Sequence, residues 1–260
     1  MNKAIQKLMM ALAVCGAVLS AHGAVQSGIV GYNTISLEAG KWYLVAPQFK
    51  DVASDTATVD LLSNVKFEGL TAVPFTSRAS GAQIQVFNPA SQSYTIYYYI
   101  SDSKEGTAWA RTKNNVPTEI PLSLGEGFWL KVGGVDENGA ALTVQGSVYS
   151  ETSKTAEVGA SGEWQILCNP YPVALDWSAL TTAGIEAAPF ANRATLCPQI
   201  QVYNASSQAY TIFYYISDSK EGIAWARTKN NLASGTMAEV GQAFWVKSPT
   251  TGTLTFRFSN

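Results

Sequence analysis

Histidine is almost absent from this sequence, and the single residue, His22, lies in a segment typical of bacterial secretory signal peptides. Lys3 and Lys7 precede an apolar run from Leu8 to Leu19, and small residues flank His22. The run is too short to cross a bilayer as a helix. We therefore expect cleavage near residue 23 and a mature chain that has no imidazole.

A mature chain without histidine cannot use several kinds of chemistry. Ser–His and Cys–His nucleophile pairs, histidine general bases and histidine metal ligands are all excluded. Charge is also scarce, at 14% of residues; the signal holds two of the 17 basic residues and none of the 19 acidic ones, which leaves a net charge of −4. We expect no nucleic-acid partner, no transmembrane segment after the signal is removed, and no cofactor or metal.

Cysteine is nearly as rare as histidine. Cys15 lies in the predicted signal, where a lipoprotein anchor is the less favoured alternative because the bulky Val14 precedes it. Cys168 and Cys197 remain, and in an oxidising compartment two cysteines are expected to form a disulfide. Closing this loop of about 30 residues would contribute roughly 3 kcal/mol in the chain-entropy model. Two free thiols are the alternative.

A long internal repeat is the strongest positive feature of the chain. Residues 83–115, QIQVFNPASQSYTIYYYISDSKEGTAWARTKNN, align without gaps on residues 199–231, QIQVYNASSQAYTIFYYISDSKEGIAWARTKNN, and 27 of 33 positions are identical. At the same offset GEGFWLKV, 125–132, matches GQAFWVKS, 241–248. Such self-similarity indicates duplicated structural units. We predict a signal peptide at 1–23, a first β-domain at 24–146 and a second at 147–260.

Each repeat has the pattern of an all-β domain. Short runs rich in β-branched and aromatic residues alternate with Gly and Pro clusters, without a long amphipathic helix. About seven strands in roughly 115 residues favour a β-sandwich or a small barrel in each repeat. One short helix is predicted in each, at 59–64 and 175–182. The strands predicted in the first repeat are 29–37, 42–49, 83–87, 94–100, 108–112, 128–132 and 142–145.

Alternation in the central hairpin predicts two different faces. Ile84, Val86, Ile96, Tyr98 and Ile100 are assigned to the core. Amides and rings occupy the opposite face, where rings can stack on a sugar or peptide while amides donate and accept hydrogen bonds; packing against another part of the protein is the alternative. The predicted binding residues are Gln83, Gln85, Tyr97, Tyr99, Asp102, Trp109, Arg111, Gln199, Gln201, Phe213, Tyr215, Asp218, Trp225 and Arg227.

The turn SDSKEG raises the question of catalysis. Asp102 and Glu105 have the residue types of a glycosidase acid pair, but nothing in the sequence makes them face each other. The turn also lacks the alternating oxygen ligands of an EF-hand. We interpret it as a solvated turn, and we predict no catalytic residues and no enzymatic activity.

The ordered motifs of the two repeats resemble those of uncharacterised secreted bacterial tandem β-repeat proteins. The motifs are GxWx[LI][VL], QIQV[FY]N, YTI[YF]YYIS and Gx[GA]FW[LV]K, and they occur in both repeats. The resemblance implies export and an all-β fold. At Ala243 the second repeat departs from the closing motif, which has a glycine at that position, and we expect a changed turn there.

These patterns favour a secreted, non-catalytic protein that acts as an extracellular binding or adhesion module. Its ligand would be a glycan or a protein surface, and two equivalent sites on one chain would provide avidity. The expected location is the periplasm, the cell surface or the medium. A surface-layer or filament subunit is the alternative, and a glycoside hydrolase that uses carboxylates alone is less favoured.

Overall fold

The computed structural model describes residues 30–51, 57–159 and 162–258, and in these ranges the chain is all-β. The predicted fold class is therefore confirmed at this level, whereas the predicted signal peptide lies outside the described residues. The only helical segments among them are three 3₁₀ turns, at Phe75–Ser77, Trp177–Ala179 and Phe190–Asn192. None of the helices in the described part of the chain is long and apolar enough to cross a membrane.

Thirteen strands form in the described part of the first repeat. They are β1 (Val30–Leu37), β2 (Trp42–Val45), β3 (Phe49–Lys50), β4 (Thr58–Asp60), β5 (Val65–Glu68), β6 (Leu70–Thr71), β7 (Gln83–Asn88), β8 (Ser93–Ser103), β9 (Gly106–Ala110), β10 (Pro121–Ser123), β11 (Phe128–Lys131), β12 (Gly134–Val135) and β13 (Ala140–Val148). All seven predicted strands overlap these. The prediction for 42–49 is divided into β2 and β3 around Pro47, which has no N–H to donate to a sheet.

Eleven strands lie in the part of the second repeat that the structure describes. They are β14 (Ser153–Val158), β15 (Trp164–Cys168), β16 (Leu175–Asp176), β17 (Leu180–Ala183), β18 (Gln199–Asn204), β19 (Ala209–Ser219), β20 (Gly222–Thr228), β21 (Asn231–Leu232), β22 (Thr236–Ala238), β23 (Ala243–Lys247) and β24 (Gly252–Arg257).

The two predicted helices are wrong. Residues 59–64 contain part of β4 and a turn, and residues 175–182 contain β16, one 3₁₀ turn and part of β17. Segments this short are marginal as helices, and an apolar pattern of so few residues does not distinguish a helix from a strand. Strand pairing determines the outcome, since β4 pairs with β10 and β16 with β22.

Four larger sheets form among the described residues. Outer sheet 1 has the order β1-β13-β3 with β5 also on β13, and inner sheet 1 has the order β2-β11-β7-β8-β9. Inner sheet 2 has the order β15-β23-β18-β19-β20-β21, and outer sheet 2 the order β14-β24-β17. One apolar cluster fills the space between the sheets of each repeat, and a third cluster lies between the two inner sheets.

Alternation along the closing strands explains why the inner sheets are buried on both faces. In β11, Phe128 and Leu130 enter the core of the first repeat, whereas Trp129 enters the cluster between the repeats. In β23, Phe244 enters the core of the second repeat and Trp245 points the other way. The repeats therefore meet through ring-bearing faces of their inner sheets.

The face assignment of the hairpin was wrong for β8. Ile84 pairs with Tyr97 and Gln85 with Ile96, so Tyr97 shares the face of Ile84 and points into the core. Ile96 lies on the face of the amides. Alternation separates the faces of each strand, but the register between two strands depends on the turn that joins them. The same register occurs in the second repeat, where Ile200 pairs with Phe213.

The predicted disulfide is also wrong. Cys168 and Cys197 are free, buried thiols that belong to different clusters. The Cys168 Sγ donates to the Glu126 carbonyl oxygen at 3.4 Å, and the Cys197 Sγ donates to the Ala188 carbonyl oxygen at 3.4 Å. Burial is the main factor that raises the pKa of both thiols. Cys168 faces the first repeat, and this is the physical reason that it does not meet Cys197.

Candidate binding cleft between the two repeats

The contacts between the repeats come in reciprocal pairs. Ala46 N donates to the Gly241 carbonyl oxygen at 2.8 Å, and Cys168 N donates to the Gly125 carbonyl oxygen at 2.7 Å. Gly125 and Gly241 both have positive φ values, of 98° and 78°, so each begins its closing strand from the same left-handed turn. Reciprocity of this kind is the property of a two-fold symmetric interface.

Rings from the two repeats interlock in the same reciprocal way. The Trp129 and Tyr203 ring centroids are 4.8 Å apart, and the equivalent pair, Trp245 and Phe87, is also separated by 4.8 Å. Both pairs are edge-to-face, the geometry that ring quadrupoles favour. Each closing-strand tryptophan therefore packs against the central hairpin of the other repeat.

Two glutamines hold the opening-strand tryptophans of the opposite repeat. Trp42 N donates to Gln208 Oε1 at 3.0 Å, and Gln208 Nε2 donates to the Trp42 carbonyl oxygen at 3.1 Å. Trp164 N and its carbonyl oxygen make the same two bonds with Gln92, both at 3.0 Å. Gln92 and Gln208 have φ values of 50° and 52°, an uncommon backbone conformation for a residue other than glycine. We call these contacts the amide pairs.

Two open cavities form along this interface. Cavity 1, of about 290 Å³, is lined by Trp42, Gln85, Tyr94, Trp129, Tyr203 and Tyr210. Cavity 2, of about 340 Å³, is lined by Phe87, Gln92, Tyr94, Trp164, Gln201, Tyr210 and Trp245. Tyr94 and Tyr210 line both. We refer to the two cavities together as the aromatic cleft.

The amides of the cleft have a defined orientation. Gln83 Nε2 donates to the carbonyl oxygens of Arg78 and Ala79, and Gln85 Nε2 donates to Gln83 Oε1 at 3.1 Å. Gln85 Nε2 therefore already has a hydrogen-bond partner, whereas Gln85 Oε1 accepts no hydrogen bond from the described residues. Gln201 makes the equivalent bond at 3.4 Å. Each cavity therefore contains one amide oxygen that is available to a ligand.

The shared tyrosines remain protonated over a wide pH range. Burial, reinforced by the neighbouring Tyr210, raises the pKa of Tyr94 to about 12, against a smaller opposing effect of its hydrogen bond with Trp129. Burial also raises the pKa of Tyr210. None of the residues that line the two cavities carries a charge. The cleft thus combines aromatic walls with neutral hydrogen-bonding groups.

The cleft contains only part of the predicted binding set. Gln85 and Gln201 line the cavities, and Gln83 and Gln199 are buried beside them as supports. The rings of the set lie elsewhere, in the cores of the two repeats: Tyr97, Tyr99, Trp109, Phe213, Tyr215 and Trp225. Arg111, directly after β9, and Arg227, within β20, are both exposed.

Asp102 and Asp218 have the same structural contacts in the two repeats. Asp102 accepts a hydrogen bond from Phe75 N at 2.7 Å and pairs with Lys113. Asp218 accepts one from Phe190 N at 2.8 Å and pairs with the equivalent lysine, Lys229. In each case the lysine is the main cause that lowers the pKa of the aspartate. The identical loop residues thus fasten a 3₁₀ turn to the hairpin.

Sequence reasoning missed most residues of the cleft. They are Trp42, Gln92, Tyr94, Trp129, Trp164, Tyr210 and Trp245. A signal was present, because the four tryptophans belong to the GxW and FW motifs that both repeats contain. The motifs were interpreted as marks of a fold, and the alternation within FWLK, which points Trp129 away from its own core, was not used.

Comparison with known proteins does not indicate a family or a function for this chain. The sequence matches no protein-family model, and no curated protein is significantly similar to it. Across the described residues, no group of three or more histidine, cysteine or acidic side chains is arranged to hold a metal ion.

Proposed function

We propose that this chain is a secreted, non-catalytic protein of two tandem β-domains, related by duplication, that binds an extracellular glycan in the aromatic cleft. The 27 identities in 33 aligned positions support the duplication, and the N-terminal signal pattern supports export. Each domain would consist of one outer and one inner sheet in the manner of a β-sandwich. The cleft would exist only because the two domains face each other.

One observation carries the glycan proposal: two open cavities are lined by rings and by glutamines whose amide oxygens accept no hydrogen bond from the described residues. Sugars present apolar CH surfaces that stack on rings, together with hydroxyl groups that donate to amide oxygens and exchange hydrogen bonds with tyrosine hydroxyls. A purely structural interface would be expected to close over its rings and to use both ends of its buried amides.

The test measures binding of the purified protein to a panel of insoluble and soluble polysaccharides. A Trp42→Ala/Trp164→Ala variant removes one wall of each cavity, and its affinity should fall at least about tenfold, the loss equivalent to roughly 1.4 kcal/mol of stacking. Tyr32→Ala is the matched control, since Tyr32 is a 77% exposed ring on β1, outside the cleft. Equal binding by both variants would reject the cleft as the site.

A structural subunit is the second candidate, and one surface favours it. β1 is an edge strand of outer sheet 1, and Val30 and Tyr32 on it are 61% and 77% exposed. Edge strands with exposed apolar residues can pair with another chain. Sedimentation velocity over a range of concentrations distinguishes the two functions: a monomer at every concentration opposes the subunit, and assembly that Tyr32→Lys abolishes supports it.

A further inference from the structure

Tyr94 and Tyr210 line both cavity 1 and cavity 2, so the two cavities share these residues as a wall. We infer that a single glycan chain of uncharged sugar units occupies both cavities and crosses the two tyrosines. This inference rests on the proposed function and specifies the ligand further, in its charge, its minimum length and its stoichiometry.

The first step concerns equivalence. Both cavities contain an opening-strand tryptophan, a closing-strand tryptophan and one amide oxygen, supplied by Trp42, Trp129 and Gln85 in cavity 1. Equivalent groups recognise equivalent chemical units. A polymer of one repeated unit offers such units at a fixed spacing.

The second step concerns charge. Every residue that lines the cleft is Trp, Tyr, Phe or Gln. A carboxylate, sulfate or phosphate group that entered would lose hydration without gaining a counter-charge, which is costly. One lysine lies over each opening-strand ring. Lys131 Nζ is 6.0 Å from the Trp42 ring centroid, and Lys247 Nζ is 5.5 Å from the Trp164 ring centroid. Neither lysine lines a cavity, and the site therefore favours neutral sugars.

The third step concerns the fixed distance between the cavities. Gln92 and Gln208 hold the backbones of Trp164 and Trp42 across the interface, each through two hydrogen bonds. The ring walls of both halves are thus held in place before the ligand arrives. A chain that reaches both halves binds the second one as an intramolecular event, which can raise the affinity by orders of magnitude.

The experiment uses length series of neutral oligosaccharides, namely cello-, xylo- and manno-oligosaccharides, with oligogalacturonates as the charged match, in calorimetric titrations of the full chain. For a neutral series that binds, we expect one ligand per protein and a rise in affinity of at least about tenfold at the length that first reaches both cavities. Trp42→Ala and Trp164→Ala, made singly, should each abolish this rise while weak binding of short oligomers persists.

The outcomes separate this inference from the proposed function. Two ligands per protein, an affinity that is independent of length, or equal affinity for oligogalacturonates would overturn the single neutral chain but leave glycan binding in place. An absence of binding by every neutral and charged glycan would overturn both. The Tyr32→Ala control should reproduce the length threshold of the unmodified protein.

Discussion

The two repeats differ at a place where they are in close contact. Gly127, immediately before β11, has no side chain, whereas Ala243, the first residue of β23, occupies the equivalent position in the second repeat. A Cβ added to Gly127 would lie 2.3 Å from the Ala243 Cβ. Nearby, the first repeat has the small Ala46 where the second has Cys168, and both are buried in the cluster between the repeats. Near-identical sequences therefore fit together because one side is smaller than the other.

This comparison corrects the expectation for Ala243. The turn before it is not changed, since Gly241 and Gly125 have similar positive φ values. The substitution acts across the interface instead. A motif that varies between two copies of a repeat can thus reflect the contact between the copies rather than the local backbone.

The largest predicted effect comes from Gly127→Ala. The new methyl group would approach the Ala243 Cβ at 2.3 Å, the Ile166 Cγ2 at 2.8 Å and the Val45 carbonyl oxygen at 2.9 Å. Overpacking of this kind costs about 1–3 kcal/mol. We expect a lower midpoint of thermal unfolding, measured by circular dichroism, and a weaker amide-pair contact, measured as faster hydrogen exchange at the Trp42 and Trp164 amides.

The matched control for this change is Ala243→Gly. It removes a methyl group and adds backbone freedom, which costs about 0.5–1 kcal/mol. The double variant that exchanges the two residues should recover only part of the loss, because Ile166 and the Val45 carbonyl oxygen still obstruct the new methyl group. If Gly127→Ala proved no more destabilising than Ala243→Gly, the repeats would not be fitted as described.

A smaller effect is expected when the amide pairs are made titratable. In Gln208→Glu the ionised side chain can still accept from Trp42 N but cannot donate to the Trp42 carbonyl oxygen, and loss of a hydrogen bond that is only partly buried costs about 0.5–1.5 kcal/mol. A protonated carboxyl restores the donor. Because the ionised form is disfavoured in the fold, the folded-state pKa lies above the unfolded value of about 4.3, and the unfolding free energy of the variant, relative to that of Gln208→Met, should rise as the pH falls towards about 4.3 and level off below it.

The two amide pairs should respond unequally. The Gln208 pair is partly buried, whereas the Gln92 pair is exposed, so Gln92→Glu should cost less and show a smaller recovery at low pH. Equal pH profiles for the two variants would mean that the interface shields both pairs alike and would remove this difference between the repeats.

Much of the fold could be predicted from the sequence because it depends on local signals. Alternation and turn residues locate the strands, and the repeat shows which strands correspond. The register between β7 and β8 does not follow from the local sequence of either strand, and Tyr97 was therefore assigned to the wrong face. The short helices failed for a related reason, since pairing of β4 with β10 and of β16 with β22 decided those segments.

The candidate site was harder to predict, because it forms between the repeats and not within one. Gln85 was correctly placed on an amide-bearing face, but the rings that stand beside it come from Trp129 of the neighbouring strand and Tyr203 of the other repeat. No periodic pattern within a single strand indicates such a contact. The identical loop around Asp102 attracted attention, yet its contacts are structural.

The next prediction concerns a feature that is the same in both repeats. The lowered pKa values of Asp102 and Asp218 mean that the ionised forms stabilise the fold at neutral pH, and that this contribution is lost as the pH falls through the folded-state pKa values. Asn at either position can still accept from the 3₁₀-turn N–H but cannot pair with the lysine. Asp102→Asn and Asp218→Asn should therefore flatten the acid side of the stability profile equally.

Chemical unfolding from pH 7 down to pH 3 checks this expectation. Glu105→Gln is the control, because Glu105 is an exposed acid of the same loop. Its side chain pairs with the neighbouring Lys104, and its backbone N donates to Ser103 Oγ. Different slopes for the two aspartate variants would show that the loops are not energetically equivalent, despite their identical contacts. A slope change with Glu105→Gln would assign the acid sensitivity to the general charge of the loop.

The smallest expected effect comes from reductant, which should leave the midpoint of thermal unfolding unchanged. Cys168 and Cys197 stand where the first repeat has Ala46 and Gly81, and each thiol is buried in a separate cluster. Because the thiolate is the reactive form and burial raises both pKa values, iodoacetamide should label neither thiol in the folded protein. After unfolding without reductant it should label both. Two unlabelled cysteines in that unfolded sample would demonstrate a disulfide, and the two repeats would then differ by a covalent bond and not merely by the space that each thiol fills.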